Sequence, residues 1–179
     1  FHSEVATFAL NNGAKWVNDV TGGRRDPRIL EVISESGCPF VLTHSRGNSL
    51  TMDKLANYTN VVLEVRDSLL RKTELALNIG VKPEQIILDP GLGFAKTHEQ
   101  NILLIKDIDI ICRTGFPVLI GPSRKRFIGH IIHEDDPLKR IWGTVAIACK
   151  CVERNVDIIR VHDVKPILKT ILMAKRIWD

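Results

Sequence analysis

Each short apolar run in this chain ends in hydrogen-bonding or charged side chains, and that repetition constrains the fold more than any other feature. Runs rich in β-branched and aromatic residues occur at 15–20 (KWVNDV), 39–44 (PFVLTH), 85–89 (QIILD), 117–121 (PVLIG) and 157–162 (DIIRVH). Helix-like stretches at 3–12, 27–36, 58–79, 98–113, 137–154 and 165–178 alternate with them. In the last, apolar residues at 167, 168, 171, 172 and 174 oppose Lys165, Lys169, Lys175 and Arg176, the 3.6-residue signature of an amphipathic helix. Alternation of helices with nearly continuous apolar strands predicts parallel strands buried on both faces. Two architectures fit: an open doubly wound sheet, or part of a (β/α)8 barrel. The barrel matches a unit of roughly 30 residues and would leave three of its eight units missing.

The first strand ends in Asn18-Asp19, and the second in Thr43-His44-Ser45-Arg46-Gly47. The third ends in Asp89-Pro90-Gly91 with Gly93-Phe94 following, the fourth in Gly121-Pro122-Ser123-Arg124-Lys125, and the fifth in Arg160-Val161-His162-Asp163. Both α/β barrels and open α/β sheets build their active sites at the C-terminal ends of parallel strands. A site is expected there, assembled from all five strands.

Composition narrows the class of function. The chain has 179 residues, 44% hydrophobic and 26% charged, enough for one domain with its own core. Its net charge of +4 is mild, there is one Tyr, and the cations are spread along the chain, so no nucleic-acid partner is expected. No apolar run approaches the ~20 residues that span a membrane, and no signal peptide is visible, so a cytoplasmic location is expected. The chain does not begin with Met, which suggests a fragment or a processed chain. Cys38, Cys112, Cys149 and Cys151 form no C-x-x-C and read as small buried hydrophobes in a reducing compartment. Cys149 and Cys151 should point to different sides of a helix.

The strand ends suggest a chemistry. Asp89 closes an apolar strand, so its carboxylate is expected to be partly buried and to need donors. A heterocycle with an amino group beside a ring N–H would supply two, and Asn18 could bind the same kind of ring. Alternatively, Asp89 only caps the turn that follows it. Lys125, Arg160 and His162 form a cationic set suited to phosphate or pyrophosphate oxygens, with Arg160 and His162 on one face of a strand. Alternatively, Arg160 pairs with Asp163 or Asp157 and His162 is a core imidazole. His44 is a weak candidate. HIIH at 130–133 has metal-ligand spacing but no third ligand nearby. GLGF at 91–94 is not a dinucleotide fingerprint, and without a P-loop or G-x-S-x-G no covalent nucleophile is indicated. Within LIGPSRKRFIG at 119–129, Ser123 and Lys125 share a face if the chain stays extended, and Arg124 and Arg126 point away.

Taken together, VNDVTGG (17–23), THSRGN (43–48), ILDPGLGFAKTHEQN (87–101), GPSRKRFIG (121–129) and DIIRVHDV (157–164) resemble the dihydropteroate synthases of the pterin-binding superfamily, in order and spacing over the whole chain. The resemblance implies a (β/α)8 TIM barrel, here strands 4–8 with their helices, forming a single pterin-binding domain over 1–179. It implies a transferase of folate biosynthesis that joins p-aminobenzoate to 6-hydroxymethyl-7,8-dihydropterin pyrophosphate, giving 7,8-dihydropteroate and pyrophosphate. On that likeness Asn18, Asp89 and Lys125 hold the pterin, and Arg160 and His162 hold the pyrophosphate. Ser123 and Phe94 adjoin the p-aminobenzoate, and Val20, Thr43, Gly93 and Gly121 line the pocket. Lys125, Arg160 and His162 carry the catalytic roles. Thr43 departs from the Met often found there.

The family's first three βα units would precede Phe1. They would take with them the Asn that helps bind Mg2+, so no metal ligand is expected within this chain. The 179 residues alone are therefore expected to be inactive and poorly stable, and a homodimer is implied for the full-length protein. A second enzyme reading is the pterin-binding domain of a methyltetrahydrofolate-dependent corrinoid methyltransferase, which has no pyrophosphate to release. A nucleic-acid patch at 124–126 and a catalytically dead barrel piece are further alternatives.

Overall fold

The computed structural model describes residues 1–178. A first helix, α1 (Ser3–Asn11), leads into five β units. Strand β1 (Val17–Asp19) precedes α2 (Ile29–Ser36), and β2 (Phe40–Thr43) precedes α3 (Val61–Asn78). Strand β3 (Ile86–Asp89) is followed by α4 (His98–Lys106) and the single turn α5 (Asp109–Cys112). Strand β4 (Leu119–Ile120) is followed by α6 (Arg126–Ile132) and α7 (Ile141–Glu153), and β5 (Ile158–Ile159) by α8 (Val164–Trp178).

Every strand pair is parallel. Val17–Asp19 lies beside Phe40–Leu42, Phe40–Thr43 beside Ile86–Asp89, and Leu119–Ile120 beside Ile158–Ile159. A bridge from Leu88 to Val118, with the Leu88 N–H on the Pro117 carbonyl at 2.8 Å, joins the first three strands to the last two. The spatial order is thus the chain order, without the reversal that marks the switch point of a doubly wound sheet.

The pleat sorts the side chains into two sets. Phe40, Leu42, Ile86, Leu88 and Ile120 point to the helices and join the main core with Ile33, Val65, Leu69 and Leu104. Val41, Ile87 and Leu119 point the other way and pack with Ile158 in a second, small cluster. Because the side-chain period is two, Thr43, Asp89, Gly121 and Arg160 stand one step further along this inner face.

Local signals set the helix starts. The Asn60 side chain accepts the Leu63 N–H at 3.1 Å, and Thr97 with Gln100 forms a reciprocal capping box. The expected 98–113 helix is interrupted between α4 and α5, and the expected 137–154 helix begins as a 3-10 turn at Pro137–Lys139. Helix α6 was not foreseen: RFIGHII coils right after the strand-end loop and buries Phe127 and Ile128. Cys38 and Cys151 are buried, whereas Cys112 and Cys149 are only half-buried, because the expected all-round burial would need cover on the outer helix faces.

Candidate active site

The inner face carries a row of polar groups. Asn18, Thr43 and Asp89 come from three adjacent strands, and the Thr43 hydroxyl lies between the other two, 3.5 Å from Asn18 Oδ1 and 3.4 Å from Asp89 Oδ2. Thr43 and Asp89 are buried, and Asn18 is exposed. Below the row, a cavity of about 530 Å³ opens among Trp16, Asn18, Val41, Leu119, Ile158 and Arg160.

Asp89 is buried, as expected, and caps the turn that follows it. Its Oδ1 accepts the Gly91 N–H at 2.8 Å and so caps the turn, and its Oδ2 faces Thr43. Burial pushes its pKa up, while the Gly91 N–H and the charges of Lys125, Lys96 and Arg160 pull it down. One buried carboxylate is thus met by three cations from different loops.

Gly91 makes this packing possible. Its φ is +68°, and a Cβ there would collide with the carbonyl of His44. The loop then turns back so that the Phe94 ring lies under Lys125, with Nζ 4.6 Å from the ring centroid. A Cβ on Gly93 would come within 3.2 Å of Lys125 Cδ, and one on Gly121 within 3.2 Å of the Arg160 guanidinium. Burial lowers the Lys125 pKa, Asp89 opposes the shift, and Arg160 adds to it.

The stretch after β4 does not stay extended. Lys125 N–H bonds back to the Pro122 carbonyl and Arg124 has φ +61°, so residues 122–125 form a turn. The alternation argument for this stretch fails for that reason. The turn nonetheless buries Ser123 and leaves Lys125 reaching Phe94. Arg124 pairs with Asp163 at 2.9 Å and Arg126 with Asp53 at 3.4 Å.

Ser123 meets the last strand end. Its Oγ is 2.9 Å from His162 Nδ1 and 3.3 Å from the His162 backbone N–H. His162 is exposed and is not a core imidazole. Arg160 pairs with neither suggested carboxylate: Asp163 is taken by Arg124, and Asp157 accepts the Val118 N–H. Val20 stands half-buried just past β1. Among the described residues no group of three or more His, Cys, Asp or Glu gathers in a way that would hold a metal ion. In HIIH, His130 stacks on His98 with ring centroids 4.1 Å apart.

Four supporting residues carried no role in the sequence reading. Lys96 is buried among loop carbonyls and His44. Asn101 Oδ1 accepts the Gly93 N–H at 2.7 Å. Lys72 donates to the carbonyls of Thr43 and Thr21 at 3.1 and 3.4 Å, and burial lowers its pKa to about 8. Asp19 gathers Thr21 and Gly23 N–H at 2.8 and 2.7 Å and shapes VTGG. The one available sequence cue was a Lys placed among the glycine-rich carbonyls of GLGFAK.

The profile of the family described as pterin binding enzyme matches residues 1–162. The chain belongs to the pterin binding enzymes. It is 46% identical over 176 residues to a dihydropteroate synthase of Synechocystis, an alignment covering 98% of this chain and 61% of that protein. The chain therefore spans about three fifths of that relative's length. The Thermus thermophilus dihydropteroate synthase in complex with 6HMPPP superposes with a TM-score of 0.93 at 37% identity, over 99% of this chain and 70% of that one. The same enzyme in complex with 4-aminobenzoate gives 0.92 at 38% identity, over 98% and 67%. As a pterin binding enzyme the chain is mixed α/β with parallel strands, and none of its described helices is long and apolar enough to cross a membrane.

Proposed function

We propose that this chain is the pterin- and pyrophosphate-binding part of a dihydropteroate synthase, a single domain built as five consecutive units of a (β/α)8 barrel. The chain-order parallel strands and their two-faced packing support the barrel arc. The observation that carries the function is the buried Asp89 carboxylate, linked to Asn18 through the Thr43 hydroxyl and held in the field of Lys125 and Arg160.

A pterin presents an amino group beside a ring N–H, and Asp89 accepts from both while the Asn18 amide binds the same ring. Arg160 and His162 receive the pyrophosphate oxygens, with Ser123 orienting the His162 ring. The bond from the pterin methylene carbon to the pyrophosphate oxygen breaks, and its electrons leave with the pyrophosphate. Cations already aimed at the departing charge lower the barrier without reorganising. The p-aminobenzoate amine attacks the methylene carbon beside Phe94 and Lys125 and then releases a proton. The protein positions and stabilises, and forms no covalent bond of its own. No step here depends on the magnesium expected on the leaving group.

The Arg160, His162 and Ser123 cluster favours this reading over the corrinoid methyltransferase domain, which has no pyrophosphate to hold. Four free cysteines fit a cytoplasmic setting. Leu172 and Met173, 61% and 62% exposed on α8, fit the homodimer implied for the full-length protein. Among the described residues β1 and β5 each pair on one side only, so the 179 residues alone should be inactive and poorly stable. The test is pyrophosphate release with both substrates present. The full-length protein should release it and the isolated 179 residues should not; no release from the full-length protein would overturn the proposal.

A further inference from the structure

Lys96 is buried, yet the reaction as described makes no use of it. Its Nζ lies 2.9 Å from the Phe94 carbonyl, 3.0 Å from the Gly91 carbonyl and 3.0 Å from Nδ1 of His44. The three N–H bonds of an ammonium thus meet three acceptors. As a neutral amine, the same nitrogen donates to the two carbonyls and accepts an Nδ1–H from His44. Both forms keep all three contacts.

The two carbonyls bracket Gly93, and Phe94 itself lies under Lys125. His44 is buried, and its backbone N–H donates to the Asp89 carbonyl at 2.8 Å. Lys96 therefore ties the loop after β3 to the end of β2, next to the carboxylate that faces the ligand. Asn101 holds the same loop from α4 through the Gly93 N–H. A buried carbonyl that loses its donor is costly, so the loop conformation depends on this lysine.

We propose that Lys96 is a positioning residue of the p-aminobenzoate site, fastening the Gly91–Phe94 loop to His44 so that Phe94 stands under Lys125. The inference rests on the proposed function. Lys96 touches no substrate and acts through Gly93 and Phe94.

The test is steady-state kinetics of the full-length enzyme carrying Lys96→Met, a side chain of similar length that donates nothing. The KM for p-aminobenzoate should rise tenfold or more while kcat falls less than threefold. A folded Lys96→Met enzyme with KM within twofold of wild type overturns the proposal, as does a fall in kcat with KM unchanged. If Lys96→Met does not fold, His44→Leu removes one of the three partners. Its KM should rise threefold or more and return to within twofold in His44→Asn, whose amide oxygen can stand near the place of Nδ1; an unchanged KM in His44→Leu overturns the proposal. Lys125→Ala separates the two failures, because ordinary turnover in that enzyme would contradict the proposed function itself.

Discussion

The Lys125 ammonium lies 4.6 Å from the centre of the Phe94 ring, so the loop after β3 and the turn before α6 meet at one cation. A cation over an aromatic face in a desolvated site is worth about 2 kcal/mol, and here the lysine also feels the opposing charges of Asp89 and Arg160. In the full-length enzyme Lys125→Ala should lower turnover by about 10²-fold or more, the usual cost of removing one preorganised donor. Phe94→Leu should act mainly on the KM for p-aminobenzoate. Steady-state kinetics of the two variants checks both, and near-normal values for Lys125→Ala would remove it from the mechanism.

At Asp89 the proposed function and stability stand in opposition. Burial raises its pKa, so the carboxylate's contribution to stability is largest below its unfolded value of 3.8 and is lost as the pH rises through the folded value. At neutral pH the charge is therefore a cost to the fold. Asp89→Asn keeps an oxygen for the Gly91 N–H and removes that charge. The variant should melt at or above the wild-type temperature yet bind the pterin more weakly by about 10²-fold or more, since two hydrogen bonds to a charged acceptor are worth roughly 1.5–3 kcal/mol each. Calorimetric melting and pterin titration on the same sample check it, and a large drop in melting temperature would contradict it.

The positions of Asn18, Thr43 and Asp89 were legible in the sequence because each lies at or near the end of a nearly continuous apolar run already read as a buried parallel strand. Arg160 and His162 were legible in the same way. The turn at Ser123–Lys125 was not: SRKR carries no glycine, and the left-handed φ at Arg124 is adopted where Arg124 pairs with Asp163 and lends its carbonyl to Arg140, both distant in sequence. Helix α6 stayed hidden because its seven residues follow the strand without a Ser, Thr, Asp or Asn cap. Lys96 was hidden for a different reason. A lysine in a polar loop ordinarily signals solvent, and only the folded chain brings His44 and two carbonyls around it.

That environment gives Lys96 a pH signature. Burial lowers its pKa from 10.5 to about 7; Asp89 from β3 opposes the shift, and Arg46, Lys72 on α3 and Lys125 before α6 reinforce it. His44 stays neutral, its pKa lowered to about 2 by burial and then by Lys96. Below pH 7 both folded and unfolded chains hold the lysine proton, and the burial cost is present in full. Between pH 7 and 10.5 the unfolded chain keeps a proton the folded chain has released, so stability rises with pH. In the full-length protein the unfolding free energy of wild type relative to Lys96→Met should therefore increase from pH 6.5 to 9. Urea unfolding at several pH values measures it, and a flat difference would contradict the assignment.

The central claim is that the strand ends recognise a pterin carrying a pyrophosphate. Isothermal titration of the full-length protein with the pterin pyrophosphate and with the unphosphorylated hydroxymethylpterin tests it most directly. The pyrophosphate form should bind more tightly, and Arg160→Ala should remove most of that advantage while leaving the unphosphorylated ligand's affinity nearly unchanged. Equal affinities in the wild-type protein, or an advantage untouched by Arg160→Ala, would contradict the account.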